Sequence, residues 1–315
     1  MPYTLRTMTE ADDARRAALL NIGEPEPITV ETIRDWRRSE SPERIVLRLG
    51  AVNDMAGIAA YGHALRDSWN ATGVFWLYIV VDPAERRQHA ATQLFDALSA
   101  FARDHGATRY YAEVRDNVLE GLLFAEHCGF RVERHIFEST LDLATFDETR
   151  FAGAIEATEA SGIRFFTLAD LDDTEEAQRK LCEINERLGR DVPGSDSSPR
   201  PFEAFQKQVC QAAWYRPDGQ IIAADGDRWI GMTAVGYFES PQPMMWTMFT
   251  GVEREYRGRG IALALKLLAV RCARRYGAAH MRTNNDSENA PMLAVNGKLG
   301  YQPQPGFYKV VRNLG

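Results

Sequence analysis

Between residues 45 and 81 the chain sets short apolar runs between polar turns: IVLRLGAV, IAAYGHALR and VFWLYIVV, separated by NDMAG and DSWNATG. Runs of this length, rich in Val, Ile and aromatic residues and bounded by Gly, Asn and Asp, predict strands. Upstream, YTLRTMT reads as a strand, and EADDARRAALLN and VETIRDWRRSE carry the 3.6-residue period of amphipathic helices. Downstream come a helix from Arg87 to His105, a strand TRYYAEVR, a helix NVLEGLLFAEHC and a closing pair of strands in FRVERHIFESTLDL. The order then returns. IRFFTL is a strand, DDTEEAQRKLCEINERL and PFEAFQKQVCQ are helices, and GQIIAAD, WIGMTAVGYF and MMWTMFTGV are strands. A long helix follows, then the strand AAHMRTN, and FYKVVRNL closes the last strand. Strand runs with helices packed on their faces predict an α+β fold. The segment LATFDETRFAGAIEATEASG has no Pro and keeps a helical period, so it reads as a connecting helix. GRDVPGSDSSPRP, dominated by Gly, Pro, Ser and Asp, reads as a loop.

The returning order is an internal repeat. VDPAERRQHAATQL from Val81 aligns with VEREYRGRGIALAL from Val252 at an offset of 171 residues, the distance from Arg86 to Arg257. The same offset relates Gly106 to Gly277 and Gly129 to Gly300. A register held without a gap over roughly fifty residues marks two copies of one structural unit. The expected organisation is a first lobe at 1–143, a connecting helix at 144–161 and a second lobe at 162–315.

The candidate chemistry lies in VEREYRGRGIA, residues 252–262, where a glycine-bearing turn runs into the apolar helix LALKLLAVRCARRYG. The first amides of a helix have no intrahelical partner and sit at the positive end of its dipole, so such a turn can wrap a phosphate. Arg257 and Arg259 add cationic charge, and Gly260 lets a bulky group approach the backbone. Together with the later NDSENAPMLAVNGKLGY, this segment resembles the GNAT acetyltransferase superfamily. Its Q/R-x-x-G-x-G/A signature is met by Arg257, Gly260 and Ala262, and its closing Leu-Gly-aromatic by Leu299, Gly300 and Tyr301.

The resemblance implies two tandem lobes, each a mixed, largely antiparallel sheet with helices on both faces. It also implies acetyl-CoA as the acyl donor. The amides of Arg257, Gly258, Arg259, Gly260, Ile261 and Ala262 would take the pyrophosphate. Main-chain groups of Thr250, Gly251 and Val252, on a strand splayed from its neighbour, would hold the pantetheine arm. Asn289 stands where many members grip that arm, though ENAPML also suits it as a helix N-cap. The first lobe departs from the pattern: His89 matches Gly260, Val118 matches Asn289 and Ala125 matches Asn296. His89 could contact a phosphate, or mark a decayed site kept for its fold. The second lobe is therefore the expected seat of activity. The layout resembles the mycothiol synthases, but Asn296 stands where those enzymes carry a tyrosine, so that reaction is not assigned.

Acyl transfer to an amine requires polarisation of the thioester, loss of an amine proton and departure of a thiolate. Asparagine does not donate a proton at a useful pKa, so Asn296 is expected to order the cofactor. The thiolate then departs unassisted, or Tyr301 or Tyr308 serves as the acid. Candidate bases are Asp191, Glu239 and Glu253, and Asp191, stiffened by the adjoining Val192-Pro193-Gly194, is expected to face a cationic amine in an acceptor pocket walled by GRDVPGSDSSPRP.

Composition narrows the partners. A net charge of −7 over 315 residues argues against nonspecific nucleic-acid binding or an anionic membrane surface. No apolar run approaches a membrane span and the N-terminus lacks a signal-peptide pattern, so a cytoplasmic protein is expected, a monomer or homodimer. Cys128, Cys182, Cys210 and Cys272 show no metal-ligand spacing and read as free buried thiols. The reading reached is an acyl-CoA-dependent N-acyltransferase, most simply an acetyltransferase acting on a small primary amine. The alternative is a noncatalytic acyl-CoA sensor on the same fold.

Overall fold

A computed structural model of the chain describes residues 3–23, 27–67, 70–192, 201–239 and 243–315. The chain divides into two compact units, one formed by Met1–Arg134 with Phe307–Gly315 and the other by His135–Gly306.

The first unit runs β1 (Thr4–Thr7), α1 (Asp13–Leu20), α2 (Val30–Arg38), β2 (Ile45–Val52), β3 (Ile58–Arg66), β4 (Val74–Val81), α3 (Ala90–Asp104), β5 (Arg109–Arg115) and α4 (Leu119–His127). Its sheet is antiparallel except where β4 meets β5 in parallel. One face buries α3 through Leu94, Phe95, Leu98 and Ala102 against Phe75, Leu77 and Tyr110. A second cluster holds Leu19 and Leu20 of α1, Ile33 of α2 and Tyr61 of β3.

The second unit contains β6 (Arg131–Asp142), α5 (Ala154–Ala160), β7 (Ile163–Thr167), α6 (Glu175–Gly189), α7 (Phe202–Phe205), β8 (Gln220–Asp225), β9 (Arg228–Phe238), β10 (Met244–Val252), α8 (Ile261–Arg275), β11 (His280–Asp286), α9 (Ala290–Leu299) and β12 (Gln302–Pro303). Its strands lie in the order β6-β11-β10-β9-β8-β7, with β10 and β11 the parallel pair and β12 beside β6. One core packs α8 with Ile155 of α5, and another packs α6 and α7 around Ile222 and Met232. Each unit is thus a mixed, largely antiparallel sheet carrying helices on both faces, as expected.

The repeat persists in the coordinates. Helices α3 and α8 are both fifteen residues long and stand 171 residues apart end to end, as do the seven residues of β5 and of β11.

The boundaries differ from the sequential division at 1–143 and 162–315. FRVERHIFESTLD is one continuous strand, β6, where two were expected, and from Ile136 onward it pairs antiparallel with β11 of the second unit. The last strand, β13 (Phe307–Asn313), pairs antiparallel with β5 of the first. Each sheet is therefore completed by the strand expected in the other lobe. Side chains hold both placements: Arg282 forms a bidentate pair with Glu138 in the second unit, and Arg109 donates to Asn313 at 2.9 Å in the first. The connector at 144–161 is two short helical turns, and its α5 sends Ile155 into the core of the second unit.

The four cysteines are free; burial pushes the Cys128 and Cys210 thiols up to about 11 and that of Cys272 to about 12. Among the described residues no helix is long and apolar enough to cross a membrane, and no cluster of His, Cys, Asp or Glu could hold a metal.

Candidate active site

Two features of the second unit converge on the segment singled out from the sequence. The first is the turn. Gly258 and Gly260 both adopt left-handed backbone, at φ 77° and 81°, and Gly260 is the residue from which α8 starts. No side chain caps the helix there, so the amides at its opening have no capping partner. A Cβ at Gly260 would meet only Thr158 Oγ1 at 3.6 Å, and one at Gly258 would meet nothing within 4 Å. Ile261 is buried in the core and Ala262 packs against it, which anchors the first turn of the helix.

The second feature is a split between β10 and β11. Their pairing runs from Met244↔His280 to Thr247↔Thr283 and stops, while β10 continues to Val252 along β9 and β11 to Asp286 along β6. A bulge lies at the point of parting, where the register against β9 shifts between Thr247 and Phe249. An extra residue bends the strand and takes its backbone groups out of the ladder. Thr250, Gly251 and Val252 follow the bulge. Thr250 shares a 2.8 Å hydrogen bond with Thr233, Val252 is buried, and a Cβ on Gly251 would press within 2.9 Å of the Phe249 ring. This edge is thus held to β9 on one side and, among the described residues, has no strand paired with it on the other.

The first unit repeats the turn with different residues. Arg87 and His89 occupy the positions of Gly258 and Gly260 and still take left-handed backbone, at φ 62° and 66°. Residues with a Cβ pay roughly 1–2 kcal/mol for that conformation. Replacing both Arg87 and His89 with glycine is expected to raise stability, by on the order of 0.5–1 kcal/mol once the added freedom of the unfolded chain is subtracted. Urea unfolding of the double variant measures it, and an unchanged or lower midpoint would contradict strain at this turn.

Other expected site residues fall as follows. Asn289 caps α9, its Oδ1 accepting from the Met292 amide at 3.3 Å, with Pro291 in the first turn. Asn296 is buried on α9 and donates through Nδ2 to Asn285 Oδ1 at 2.6 Å, while its own Oδ1 has no partner among the described residues. Asn285 in turn donates to Ser139 Oγ at 2.8 Å. Tyr301 is buried, its hydroxyl 3.9 Å from Met281 Sδ, and burial pushes that phenol up to about 12, which weakens it as an acid. Arg259 lies over the Tyr256 ring at 5.2 Å.

Asp191 does not stand free for an acceptor. At the end of α6 its carboxylate is paired with the guanidinium groups of Arg254 and Arg257, the latter also donating to Val252 O at 3.0 Å. The hydrogen bonds from Arg254, then those from Arg257, hold the carboxyl below its ordinary range despite partial desolvation. A carboxylate so stabilised is a poor base, and its charge is already matched by the two nearest cations. Its observed role is to fix the arginines at the foot of the turn. The wall expected from GRDVPGSDSSPRP cannot be placed, since residues 193–200 lie outside the described ones. Glu253, another candidate base, is buried between Arg187 and Arg228 and is likewise engaged. Glu239 is exposed at the end of β9.

One residue escaped the sequence reading. Lys266, in the apolar run of α8, is only 2 % exposed, and its Nζ sits 5.0 Å from the centroid of the Tyr301 ring. The internal repeat carried the signal: the offset of 171 sets Lys266 opposite Phe95, and a lysine in place of a core phenylalanine is anomalous.

Comparison with known proteins agrees with this geometry. Residues 10–130 and 183–301 each match the acetyltransferase (GNAT) family. A GCN5-related N-acetyltransferase from Sphaerobacter thermophilus is 21 % identical, with 99 % of this chain and 95 % of that one covered and a TM-score of 0.73. A tandem GNAT protein from the clavulanic acid biosynthesis pathway is 19 % identical, with 99 % and 98 % covered and a TM-score of 0.69. The GCN5-related glucosamine N-acetyltransferase region of a fungal multi-domain GH3 β-N-acetylglucosaminidase is 15 % identical, covering 99 % of this chain and 38 % of that one, with a TM-score of 0.73. At these identities the solved structures establish a shared fold. No curated protein matches the sequence.

Proposed function

The chain belongs to the GNAT acetyltransferase family in its tandem two-lobe form, and from that premise we propose that its second lobe transfers an acetyl group from acetyl-CoA to a small primary amine. The observation that carries the reading is the pairing, in one unit, of two left-handed glycines opening α8 with a strand gap that begins at Thr247↔Thr283. The turn fits a pyrophosphate because both glycines lack a Cβ and, among the described residues, neither position is crowded. The gap fits an extended arm because the edge from Phe249 to Val252 is braced by β9 while its outer side is open to pairing.

The residues divide the work accordingly. The amides from Gly258 to Ala262 would hold the diphosphate, with Arg259 adding charge from the surface. The main chain of Thr250 to Val252 would hold the pantetheine arm, and the bulge at Thr247/Phe249 supplies free backbone groups where the acyl end would lie. CoA supplies the acyl group as an activated thioester. Asn289 fixes the start of α9, and Asn296, tied to Asn285, would offer its unpaired Oδ1 toward bound ligand or water. In the first lobe Arg87 and His89 put side chains at the two positions where the second lobe has glycine, which supports placing activity in the second.

A noncatalytic acyl-CoA sensor draws support from one observation, the absence of a phenol at Asn296. Thiol release from acetyl-CoA, followed with a chromogenic disulfide across a panel of primary amines, separates the two readings. Amine-dependent release is expected with at least one acceptor and should vanish in Gly260→His. Tight binding of acetyl-CoA with no amine-dependent release from any class of acceptor would favour the sensor.

A further inference from the structure

The second unit buries a set of polar side chains that its repeat partner replaces with hydrocarbon. Ser139, Thr247, Lys266, Thr283, Asn285, Asn296 and Tyr301 are each at most 7 % exposed. The matching register of Trp76↔Tyr111 with Trp246↔Arg282 sets Thr247 opposite Leu77, and the offset of 171 supplies the rest. Their counterparts are Val310, Leu77, Phe95, Ala112, Val114, Ala125 and Phe130, all members of the apolar core of the first unit or packed against it. The edge-to-face pair Phe95–Phe130, at 6.1 Å, becomes Lys266 over Tyr301. Each such exchange costs stability unless its polar atoms are satisfied. Among the described residues Asn296 Oδ1 is buried without a partner, and Thr247 Oγ1 lies against the Tyr301 hydroxyl without a hydrogen bond of good geometry. Lys266 forms no hydrogen bond or ion pair with any described residue, and its Nζ lies over the face of Tyr301.

These groups lie where the strands part. Thr247 and Thr283 are the last pair before the gap, Thr283 Oγ1 donates to Thr247 O at 3.2 Å, and the Tyr301 hydroxyl approaches Met281 on the same strand. Resting on the function proposed above, we propose that Lys266 is the residue that supplies the proton to the departing thiol, in place of the hydroxyl absent at position 296. As the acyl–nitrogen bond forms and the acyl–sulfur bond breaks, the electron pair leaves on sulfur. Lys266 Nζ delivers the proton that makes the thiol, and the proton lost by the acceptor nitrogen restores the ammonium through solvent. A lysine stem is long and flexible enough to move its amine between the Tyr301 face and the gap. Burial lowers the Lys266 ammonium to about 7, and among the described residues no Asp, Glu, His or Arg shifts it further, Tyr301 being the titratable group whose ring it faces. A donor poised near neutrality is better matched to a thiolate than the Tyr301 phenol at about 12.

The full-length protein with 13C-labelled lysine provides the test, the Lys266 signal being identified by its loss in Lys266→Met. Its titration is followed alone, with CoA and with desulfo-CoA. CoA, whose thiol can hydrogen-bond the neutral amine that remains after proton transfer, is expected to shift the midpoint by about half a unit or more relative to the free protein, and desulfo-CoA to leave it in place. Equal midpoints with the two ligands would overturn the proposal while leaving CoA binding and the proposed function standing. Failure of CoA to bind would overturn both. With any amine that releases thiol from acetyl-CoA, Lys266→Phe, which recreates the Phe95–Phe130 pair, should lose about a hundredfold in turnover and the fall in rate above neutral pH. Retention of the wild-type rate and pH profile in Lys266→Phe would also overturn it.

Discussion

Replacing Gly260 with histidine is expected to remove acetyl-CoA binding while leaving the fold intact. The first unit shows why the fold survives, since His89 holds the equivalent left-handed position at φ 66° beside a well-formed α3. The space around Gly260 also admits a Cβ, with Thr158 Oγ1 at 3.6 Å as its nearest neighbour. Binding does not survive, because an imidazole at the N-cap covers the amides that would face the diphosphate. Each hydrogen bond lost to a charged ligand is worth about 1.5–3 kcal/mol, so losing two weakens affinity by at least about a hundredfold. Calorimetry with acetyl-CoA, run beside a thermal melt, separates the effects. Affinity within threefold of wild type in Gly260→His would remove the turn from the site.

The second large effect concerns stability. Lys266 is buried with its pKa lowered to about 7 from an ordinary 10.5. Below pH 7 the amine is protonated in both folded and unfolded chains, and the cost of burying its charge is fully present. Between about 7 and 10.5 the unfolded chain still holds the proton and the folded chain does not. Stability therefore rises with pH across that window. At about 1.4 kcal/mol per unit, the gain approaches roughly 5 kcal/mol over the whole window. Lys266→Met, similar in length and uncharged, should be more stable than wild type near pH 6.5 and should lack the rise. Urea unfolding of both proteins at pH 6.5 and 9.5 isolates the lysine, because other groups titrate alike in the two. A constant difference between the curves would mean that Lys266 keeps its charge throughout, and the proton-donor role would lose its support.

The surrounding polar set explains why such a cost is tolerated. In the first unit the same positions hold Phe95, Phe130, Leu77 and Ala125, a dry core that serves only the fold. In the second, Lys266, Tyr301, Thr247 and Asn296 give up part of that packing for groups that can meet a ligand. A site that stores unfavourable burial in this way is destabilised relative to its own repeat, and the two units provide the comparison within one chain.

Much of this was legible in the residues themselves. Strand and helix periods placed nearly every element, because apolar period and turn composition act over a few residues. The turn from Arg257 to Ala262 was equally legible, since two glycines before an apolar helix specify left-handed backbone and open amides locally. The repeat at 171 residues followed from the same local signals occurring twice. What sequence could not decide was pairing. Strands β6 and β13 are repeat equivalents with the same alternation, so each suits either sheet, and only long-range contacts such as Arg282–Glu138 and Arg109–Asn313 assign them. The same limit applied to charge. Asp191 beside a proline-stiffened loop looked free in one dimension, but folding brings it within reach of Arg254 and Arg257, more than sixty residues on. Lys266 is one polar residue in an apolar helical run, and only the packing of that face of α8 shows that it is buried beneath the Tyr301 ring. Local preferences are written along the chain, whereas the neighbours that set a group's charge, partner and burial arrive only when distant segments pack.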